Sequence, residues 1–390
     1  MYLSCFPTLT LNAVRSGKTS RGTLLPPINA PATVYYYRGA NAVFNAVVSL
    51  QMKPEDHILM PAYHCGVEVE AVLATGIQVR FYNIMGTLEA DLADIRQRID
   101  KNTKAIFVIH YFGFPQPVTD LKRICDEYSL LLIEDCAHAL YSRCGGTLLG
   151  SAGDVGIFSF QKTLPVPDGG ALVINNKNFT TSQERQKPSA MTTLRGVTLS
   201  RLEHIHMFHP GVYAAMEQVC VKPARALFRL MKKSRCKSCA VTAANTRDFK
   251  REHSSLGISD VSLKIVQDAD ADGIANKRRE HFRFLADALK NMASTKMMYR
   301  DLPEGVCPLF FPLLHPERDD LQVRLARRGV NTFIFGKTLH ASLPKGRFPT
   351  AELFSRQNIC LPIHQDMNKN KLAYLVQTLE SELDEVSRSR

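Results

Sequence analysis

The sequence predicts an α/β protein with a large domain built on a mostly parallel sheet and a smaller α/β domain at its C-terminal end. The chain has 390 residues, which is too long for one simple core. Between residues 40 and 175 short apolar runs alternate with helical stretches, and the alternation returns after residue 309. Such runs between helices are typical of strands that are covered on both faces, as in parallel sheets.

Apolar runs in the large domain predict the strands of this sheet. They are Ile58–Pro61, Gln78–Tyr82, Ala105–His110, Leu130–Asp135, Ile157–Phe160 and Ala171–Ile174. A helix-like stretch, PVTDLKRICDEYS, precedes the run that ends at Asp135. Ligands of such sheets bind beyond the carboxyl ends of the strands, so the residues that follow the runs are the first candidates for a site.

Beyond residue 180 the strand rhythm stops. Residues 200–253 predict a basic helical insertion, and Asp260–Met292 is strongly helical. From Leu309 onward, PLFFPLL and VNTFIF predict strands, ERDDLQVRLARRGV predicts a helix, and LAYLVQTLESEL predicts an amphipathic helix. We therefore predict a large domain over residues 1–285, which includes the insertion, and a small domain over residues 286–390.

The composition is that of a soluble globular protein, with 45% hydrophobic and 22% charged residues. No apolar run reaches the roughly 18 residues that a spanning helix needs, and the N-terminus does not resemble a secretory signal. We therefore expect a cytoplasmic protein.

The ten cysteines are scattered, as expected of buried thiols in a reducing compartment. The pair Cys236 and Cys239 has no second pair of ligands at zinc spacing, so we predict no metal site.

The net charge of +12 is concentrated in one segment. Residues 200–253 contain eleven Lys or Arg and four Asp or Glu. A basic block can face phosphate, anionic lipid or nucleic acid, or form a solvated helical face. We predict no nucleic-acid partner. Contact with a membrane surface stays open, because residues 212–233 are apolar on one side and basic on the other, although Pro223 argues against one continuous helix.

The first local feature with chemical potential is the turn Arg38-Gly39-Ala40-Asn41, which precedes an apolar helix. A glycine turn at a helix start presents free backbone N–H groups and the positive end of the helix dipole, which together form a phosphate site. The alternative is an ordinary helix start with Asn41 near the cap.

The second feature is Asp135, at the carboxyl end of an apolar strand, with His138 one helical turn further on. A buried carboxylate needs a cation or good hydrogen bonds, and the protonated nitrogen of an aromatic ligand ring would serve. Alternatively, Asp135 caps the next helix. A single histidine at such a place is more often structural than catalytic.

Two further features follow the next strand. Ser159 ends the run, and Lys162 lies three residues later. A lysine near an apolar cleft has a lowered pKa and becomes nucleophilic enough to form a Schiff base, although most lysines only solubilise the surface. The turn Pro165–Gly170 then leads into the last strand, and its two prolines and paired glycines predict a constrained, close-packed turn. The alternative is a plain loop.

These features in this order resemble the DegT/DnrJ/EryC1/StrS family of pyridoxal-phosphate-dependent sugar aminotransferases, which has fold type I (aspartate-aminotransferase-like). The similar segments are RGANAVFNAVVSLQMKPEDHILMPAYHC, TKAIFVIHYFGFP, LLLIEDCAHA, GSAGDVGIFSFQK, DGGALVINN, SSLGISDVSLKIVQ and ICLPIHQDMN. The resemblance implies a homodimer with shared active sites and pyridoxal phosphate as cofactor. It also implies a nucleotide-linked keto sugar as substrate and an amino donor, which we expect to be glutamate.

The resemblance also implies roles for individual residues. Lys162 would bind the cofactor covalently, and Asp135 would pair with its pyridine nitrogen. The remaining cofactor contacts would be Gly39, Ala40, Asn41 and Ser159 at the phosphate and His138, where the family usually has Gln, near the ring hydroxyl.

The sequence departs from the family pattern at two further positions. The family usually places its lysine five residues after the serine, whereas Lys162 lies three residues after Ser159. Cys65 stands where an aromatic residue often stacks on the cofactor, with Tyr63 and His64 as alternative contacts. Lys337 and His340, in FIFGKTLH, are candidate substrate residues, as are Tyr63 and His64. Two other functions stay open: sugar dehydration or another reaction on this fold, and a non-catalytic protein that acts through its basic arm.

Overall fold

The computed structural model describes residues 1–10, 27–181, 184–218, 249–290 and 295–388. The strands of its large sheet are β1 Thr33–Tyr36, β2 His57–Pro61, β3 Gln78–Tyr82, β4 Thr103–Ile109, β5 Leu131–Asp135, β8 Val155–Ser159 and β9 Gly170–Ile174. Between β5 and β8, the short strands β6 Arg143–Cys144 and β7 Thr147–Leu148 form a hairpin. The order in the large sheet is β1-β9-β8-β5-β4-β2-β3.

Parallel pairing dominates this sheet. β2 pairs in parallel with β3 and β4, β4 pairs with β5, and β5 pairs with β8. Within the described part of this sheet, the antiparallel pairs are those of β9 with its neighbours β1 and β8. The strands β2, β8 and β9 are buried along their whole length, as expected for strands covered on both faces. The predicted α/β class with a mostly parallel sheet is confirmed.

Each predicted run of the large domain overlaps one strand, with ends that differ by at most two residues. The edge strand β1 was not predicted, because its four residues TVYY lie outside the alternation that begins after Ala40. β1 becomes a strand by pairing with β9, more than 130 residues later in the chain, which local sequence does not reveal.

Helices cover the sheet and continue into the C-terminal part. They are α1 Gly39–Ser49, α2 Val67–Leu73, α3 Leu92–Arg98, α4 Val118–Tyr128, α5 Ala190–Phe208, α6 Pro210–Met216, α7 Asp260–Gln267, α8 Ala271–Leu289, α9 Arg318–Arg327, α10 Pro349–Gln357 and α11 Lys369–Arg388. Some of these helices begin with a side-chain cap. The side chain of Ser259 accepts from the Ser262 N–H at the start of α7, and Asp270 accepts from Gly273 at the start of α8.

A second, antiparallel sheet forms in the C-terminal part from β10 Lys296–Met297, β11 Phe310–Leu314 and β12 Asn358–Pro362, in that order. The prediction of a strand over VNTFIF is wrong. Val330 forms only an isolated bridge with Leu3, and Phe333 one with Cys360. The segment is held at two separate points by different neighbours, so no continuous ladder develops.

The predicted domain boundary near residue 285 stays a prediction. Of the predicted insertion over residues 200–253, the described residues include the end of α5 and all of α6. Cys236, Cys239 and most of the segment considered for membrane contact lie outside the described residues. Within the part of the chain that the structure describes, no helix is both long and apolar enough to cross a membrane.

Candidate active site

The start of α1 packs against the ends of two strands. A Cβ placed on Gly39 would lie 3.3 Å from the Cβ of Ser159. A Cβ on Gly170 would lie 2.6 Å from the backbone N of Gly39, too close for any side chain. The glycine turn, Ser159 and the paired glycines, which lie far apart in the sequence, therefore meet at one point. The N–H groups of Gly39 and Ala40 precede the first intrahelical hydrogen bonds, as anion binding at a helix start requires.

Asn41 lies at the same turn, but its groups have protein partners. Its N–H donates to the Arg38 carbonyl at 3.1 Å, and its side-chain amide donates to the carbonyl of His253. The side chain is buried and ties α1 to the segment after residue 249. The prediction that backbone groups hold a phosphate here therefore depends on Gly39 and Ala40.

Asp135 ends β5 at the carboxyl edge of the sheet and is buried. Its Oδ1 accepts from the Ala137 N–H at 2.8 Å. Burial raises the pKa of Asp135 to about 6, whereas the positive charge of Lys162 opposes this rise and the charge of Glu68 adds to it. The carboxylate is therefore charged at neutral pH at an energetic cost that a cationic ligand would relieve.

His138 presents an unused hydrogen-bond donor. Its Nδ1 accepts from the Phe112 N–H at 3.3 Å, so the proton of the neutral ring is on Nε2. Nε2 is buried and has no hydrogen-bond partner in the described residues. Burial, helped by the charge of Lys162, holds the pKa of His138 well below its usual range. The ring is fixed by stacking on Phe112, with centroids 5.6 Å apart, and it stays neutral.

Lys162 lies in the turn after β8 and is half-buried. The turn is closed by N–H groups of Thr163 and Leu164, which donate to the Phe160 carbonyl at 3.0 and 2.8 Å. Apart from burial, the Lys162 charge acts on the pKa of Asp135, His138 and Cys65, lowering each. The structure therefore brings Lys162 to the same space as these three side chains.

Cys65 is linked to Glu68, which the sequence analysis did not identify. The thiol donates to Glu68 Oε2 at 2.6 Å, and the Cys65 N–H donates to Oε1 at 2.8 Å. Burial, followed by the charge of Glu68, raises the pKa of the thiol well above its usual range, so it is protonated. An acid in the first turn of a helix that follows a strand end was the available signal for Glu68.

Tyr63 and His64 are both fully buried. The Tyr63 hydroxyl donates to the Phe335 carbonyl at 3.0 Å. His64 donates from Nδ1 to the Pro61 carbonyl and accepts at Nε2 from the His340 N–H at 2.9 Å. Both side chains therefore hold the loop around residues 335–340 against the segment that follows β2, and both ring nitrogens of His64 already have protein partners.

The other two candidates in this loop are more exposed. Lys337 forms an ion pair with Asp319 at 2.9 Å, and both side chains face solvent. His340 Nδ1 lies 2.7 Å from the Ser342 hydroxyl. Neither residue is brought into contact with Lys162 by any interaction of the described residues.

A buried hydrogen-bond network around Glu134 lies next to Asp135 in the sequence and holds the loop that precedes β8. Glu134 accepts from the N–H groups of Gly150, Ala152 and Gly153 and from Nε2 of His110 at 3.0 Å. Cys136 brings its sulfur to within 4.8 Å of the ligand atoms of His110 and Glu134. Because both Glu134 oxygens already accept two hydrogen bonds each, we interpret the group as a structural network that holds the loop before β8, and not as a metal site.

Most of the chain is similar in sequence to known proteins. Residues 31–204 and 260–380 match the DegT/DnrJ/EryC1/StrS aminotransferase family. The chain is 33% identical over 141 residues to GDP-perosamine synthase of Vibrio cholerae, and it spans only 38% of that protein's length. A longer alignment, over 363 residues at 25% identity, matches the UDP-4-amino-4,6-dideoxy-N-acetyl-beta-L-altrosamine transaminase of Campylobacter jejuni, covering 89% of this chain and 84% of the relative.

A solved structure with a similar fold is the aminotransferase TlmJ from Streptoalloteichus hindustanus. The TM-score is 0.65 at 22% identity, over 91% of this chain and 87% of that chain. At this identity the likeness shows the fold alone.

Proposed function

We propose, since this chain belongs to the DegT/DnrJ/EryC1/StrS aminotransferase family, that it is a pyridoxal-phosphate-dependent aminotransferase that acts on a nucleotide-linked keto sugar. The observation that carries the proposal is the convergence of Lys162, Asp135 and His138 at the carboxyl edge of the sheet, beside the start of α1. A lysine, a buried carboxylate and an anion site are what such a cofactor requires.

The residues of the site fit pyridoxal phosphate. The His138 Nε2–H is a buried donor without an acceptor among the described residues, which suits an oxygen on the ring. Asp135 carries a buried negative charge that suits the protonated ring nitrogen. At the phosphate end we assign the N–H groups of Gly39 and Ala40 and the hydroxyl of Ser159, and we place the Cys65 thiol beside the ring.

In the proposed mechanism each residue has one task. Pyridoxal phosphate, when bound, supplies a ring that accepts the electron pair released at the reacting carbon. The Asp135 carboxylate holds the proton at the ring nitrogen, and the His138 donor fixes the ring's orientation. Lys162 Nζ would hold the cofactor covalently, and the same amine would serve as the base that takes the proton from the α-carbon of the amino donor and as the acid that delivers it to the cofactor's C4′ carbon.

The finer parts of the proposal rest on the relatives and on charge. The two relatives above are named for GDP- and UDP-linked sugars, and the net charge of +12 suits a diphosphate-bearing substrate. We propose glutamate as amino donor, a homodimer with shared active sites, and the cytoplasm as compartment. Lys337 and His340, in the proposed small domain over residues 286–390, are the candidates for contact with the sugar nucleotide; Tyr63 and His64 would act by holding their loop.

Covalent capture of the cofactor tests the proposal. Wild-type protein is incubated with pyridoxal phosphate, reduced with borohydride and digested, and the modified peptide is identified by mass spectrometry. We expect the label on Lys162 and its loss in Lys162→Ala, while Lys187→Ala, an exposed lysine paired with Asp260, keeps it. No label in wild-type protein, or a label on another lysine, contradicts the assignment. Keto sugars linked to different nucleotides are then screened with glutamate as donor.

A further inference from the structure

The carbonyl of Thr163, the residue directly after Lys162, receives two side-chain hydrogen bonds from distant parts of the chain. The guanidinium of Arg278, on α8, donates from Nη2 at 3.3 Å. The amide of Gln365, in the segment after β12, donates from Nε2 at 3.0 Å. The turn that contains Lys162, here called the lysine turn (residues 160–164), is thus held by residues more than a hundred positions later in the chain.

Arg278 is almost fully buried, with 1% of its surface exposed. Its remaining donors go to neutral oxygens as well: Nε to Gln365 Oε1 at 3.1 Å, and Nη1 to the carbonyls of Leu309 and Pro308 at 2.9 and 3.4 Å. Burial lowers the pKa of Arg278. A buried cation is costly, and its hydrogen bonds to neutral acceptors are correspondingly strong. The guanidinium therefore fixes the relative positions of all the groups that it contacts.

These contacts matter because the lysine turn is short. Only two residues separate Lys162 from Ser159, and the turn closes on Phe160 through Thr163 and Leu164. Consecutive Cα atoms are about 3.8 Å apart, so a shift of Thr163 moves the Lys162 backbone with it. A displacement of about 1 Å at a reacting group can reduce a rate about a hundredfold.

We propose that Arg278 and Gln365 are positioning residues, which hold Lys162 at the cofactor through the Thr163 carbonyl. The inference rests on the proposed function. It adds that the segments next to β11 and β12 set the position of the lysine, since Leu309 and Gln365 lie beside those strands and share the same guanidinium.

The affinities for two cofactor forms distinguish a role in positioning Lys162 from a general effect on the structure. Pyridoxal phosphate gains affinity from its bond to the lysine, whereas pyridoxamine phosphate has the same phosphate and ring but forms no bond with it. The test variants are Gln365→Glu, which keeps an acceptor for Arg278 but loses the donor to Thr163, and Arg278→Lys. Matched controls are Arg318→Lys, a buried arginine whose donors go to the carbonyls of Asn358 and Ser355, and Gln322→Glu, whose amide contacts Thr332.

Affinities for both forms are measured by fluorescence or calorimetry on the purified full chain, with thermal unfolding recorded for each variant. In the two test variants we expect pyridoxal phosphate to bind about tenfold more weakly, which corresponds to the loss of one hydrogen bond, while the affinity for pyridoxamine phosphate changes by less than about twofold. The controls keep the wild-type ratio of the two affinities.

Three results overturn the inference. Wild-type affinities for both cofactor forms in both test variants remove the positioning role while the proposed function stands. An equal loss of affinity for both cofactor forms would show that Arg278 and Gln365 stabilise the whole site and do not position Lys162 specifically. If the wild-type protein binds neither form, the proposed function fails first, and the positioning role fails with it.

Discussion

Asp135 shows how a single residue exchanges stability for binding capacity. Its carboxylate is buried, it accepts a hydrogen bond from Ala137, and no cationic side chain forms an ion pair with it among the described residues. Burial raises its pKa to about 6, against an ordinary value of 3.8. The site therefore holds a negative charge that the cofactor-free protein would be more stable without.

This cost predicts a pH dependence. Between pH of about 4 and 6 the folded protein keeps a proton on Asp135 that the unfolded chain has released, so stability falls as the pH rises. The loss by pH 7 is on the order of 3 kcal/mol. We expect Asp135→Asn, which can still accept from Ala137, to be more stable than wild type by about that amount at pH 7, and equally stable near pH 4.

Urea unfolding of the cofactor-free proteins across this pH range measures the difference. Asp287→Asn, at an exposed position of α8, is the control and should follow the wild-type curve. Parallel curves for wild type and Asp135→Asn contradict the expectation. Bound pyridoxal phosphate should raise the free energy of unfolding of the wild type more than that of Asp135→Asn, because the positive ring nitrogen stabilises the charged carboxylate. The difference in stability between the two proteins should therefore become smaller.

Sequence reasoning succeeded for residues whose position follows from a strand end. Asp135 and Ser159 end β5 and β8, and the parallel sheet brings the ends of neighbouring strands together. It did not succeed for partners far apart in the chain. His64 and His340 were separate candidates, yet they form a hydrogen bond across 276 positions. Arg278 carried no local signal either, since nothing in its helical surroundings indicates a turn 115 residues earlier.

At the scale of elements, the site depends on how closely α1 approaches β9. Tyr36, at the end of β1, pairs with Gly170, the first residue of β9, and the chain then turns into α1 directly above it. A Cβ on Gly170 would lie within 2.7 Å of three backbone atoms of Arg38 and Gly39. Only glycine permits this distance, which places the first N–H groups of α1 beside Ser159.

We therefore expect Gly170→Ala to displace the start of α1 and to cost about 1–3 kcal/mol of stability, as overpacking of a rigid contact does. The affinities for pyridoxal phosphate and pyridoxamine phosphate should fall together, because both forms carry the phosphate. Gly86→Ala is the control, because a Cβ there meets no atom within 4 Å and the residue is exposed. Chemical unfolding and binding of both cofactor forms test this prediction, and wild-type values for Gly170→Ala would contradict it.

At the scale of the whole molecule, the first ten residues connect distant parts of the structure. Leu3 exchanges backbone hydrogen bonds with Gly329 and Asn331, after α9. Thr8 donates to Asp366 from its N–H at 2.7 Å and from its hydroxyl at 3.1 Å, and the Leu9 N–H donates to the Ser200 hydroxyl of α5. Segments that are hundreds of positions apart in sequence are thus joined by one short stretch.

The side chain of Leu3 anchors this connection, because it is fully buried while the flanking backbone bridges Val330. We expect Leu3→Ala to destabilise the protein by about 2–5 kcal/mol, the cost of a cavity at a buried leucine. Val323→Ala, at a half-exposed position of α9, is the control and should change stability by less than about 1 kcal/mol.

The measurement is urea unfolding of the cofactor-free protein, followed both by backbone circular dichroism and by intrinsic tyrosine fluorescence. If the stretch joins the two sheets into one cooperative unit, both signals in wild type change at the same urea concentration, and in Leu3→Ala they change together at a lower one. A Leu3→Ala protein that unfolds at the wild-type midpoint would show that the buried Leu3 side chain does not contribute to stability, and that the two sheets are held together elsewhere, by contacts such as those of Arg278.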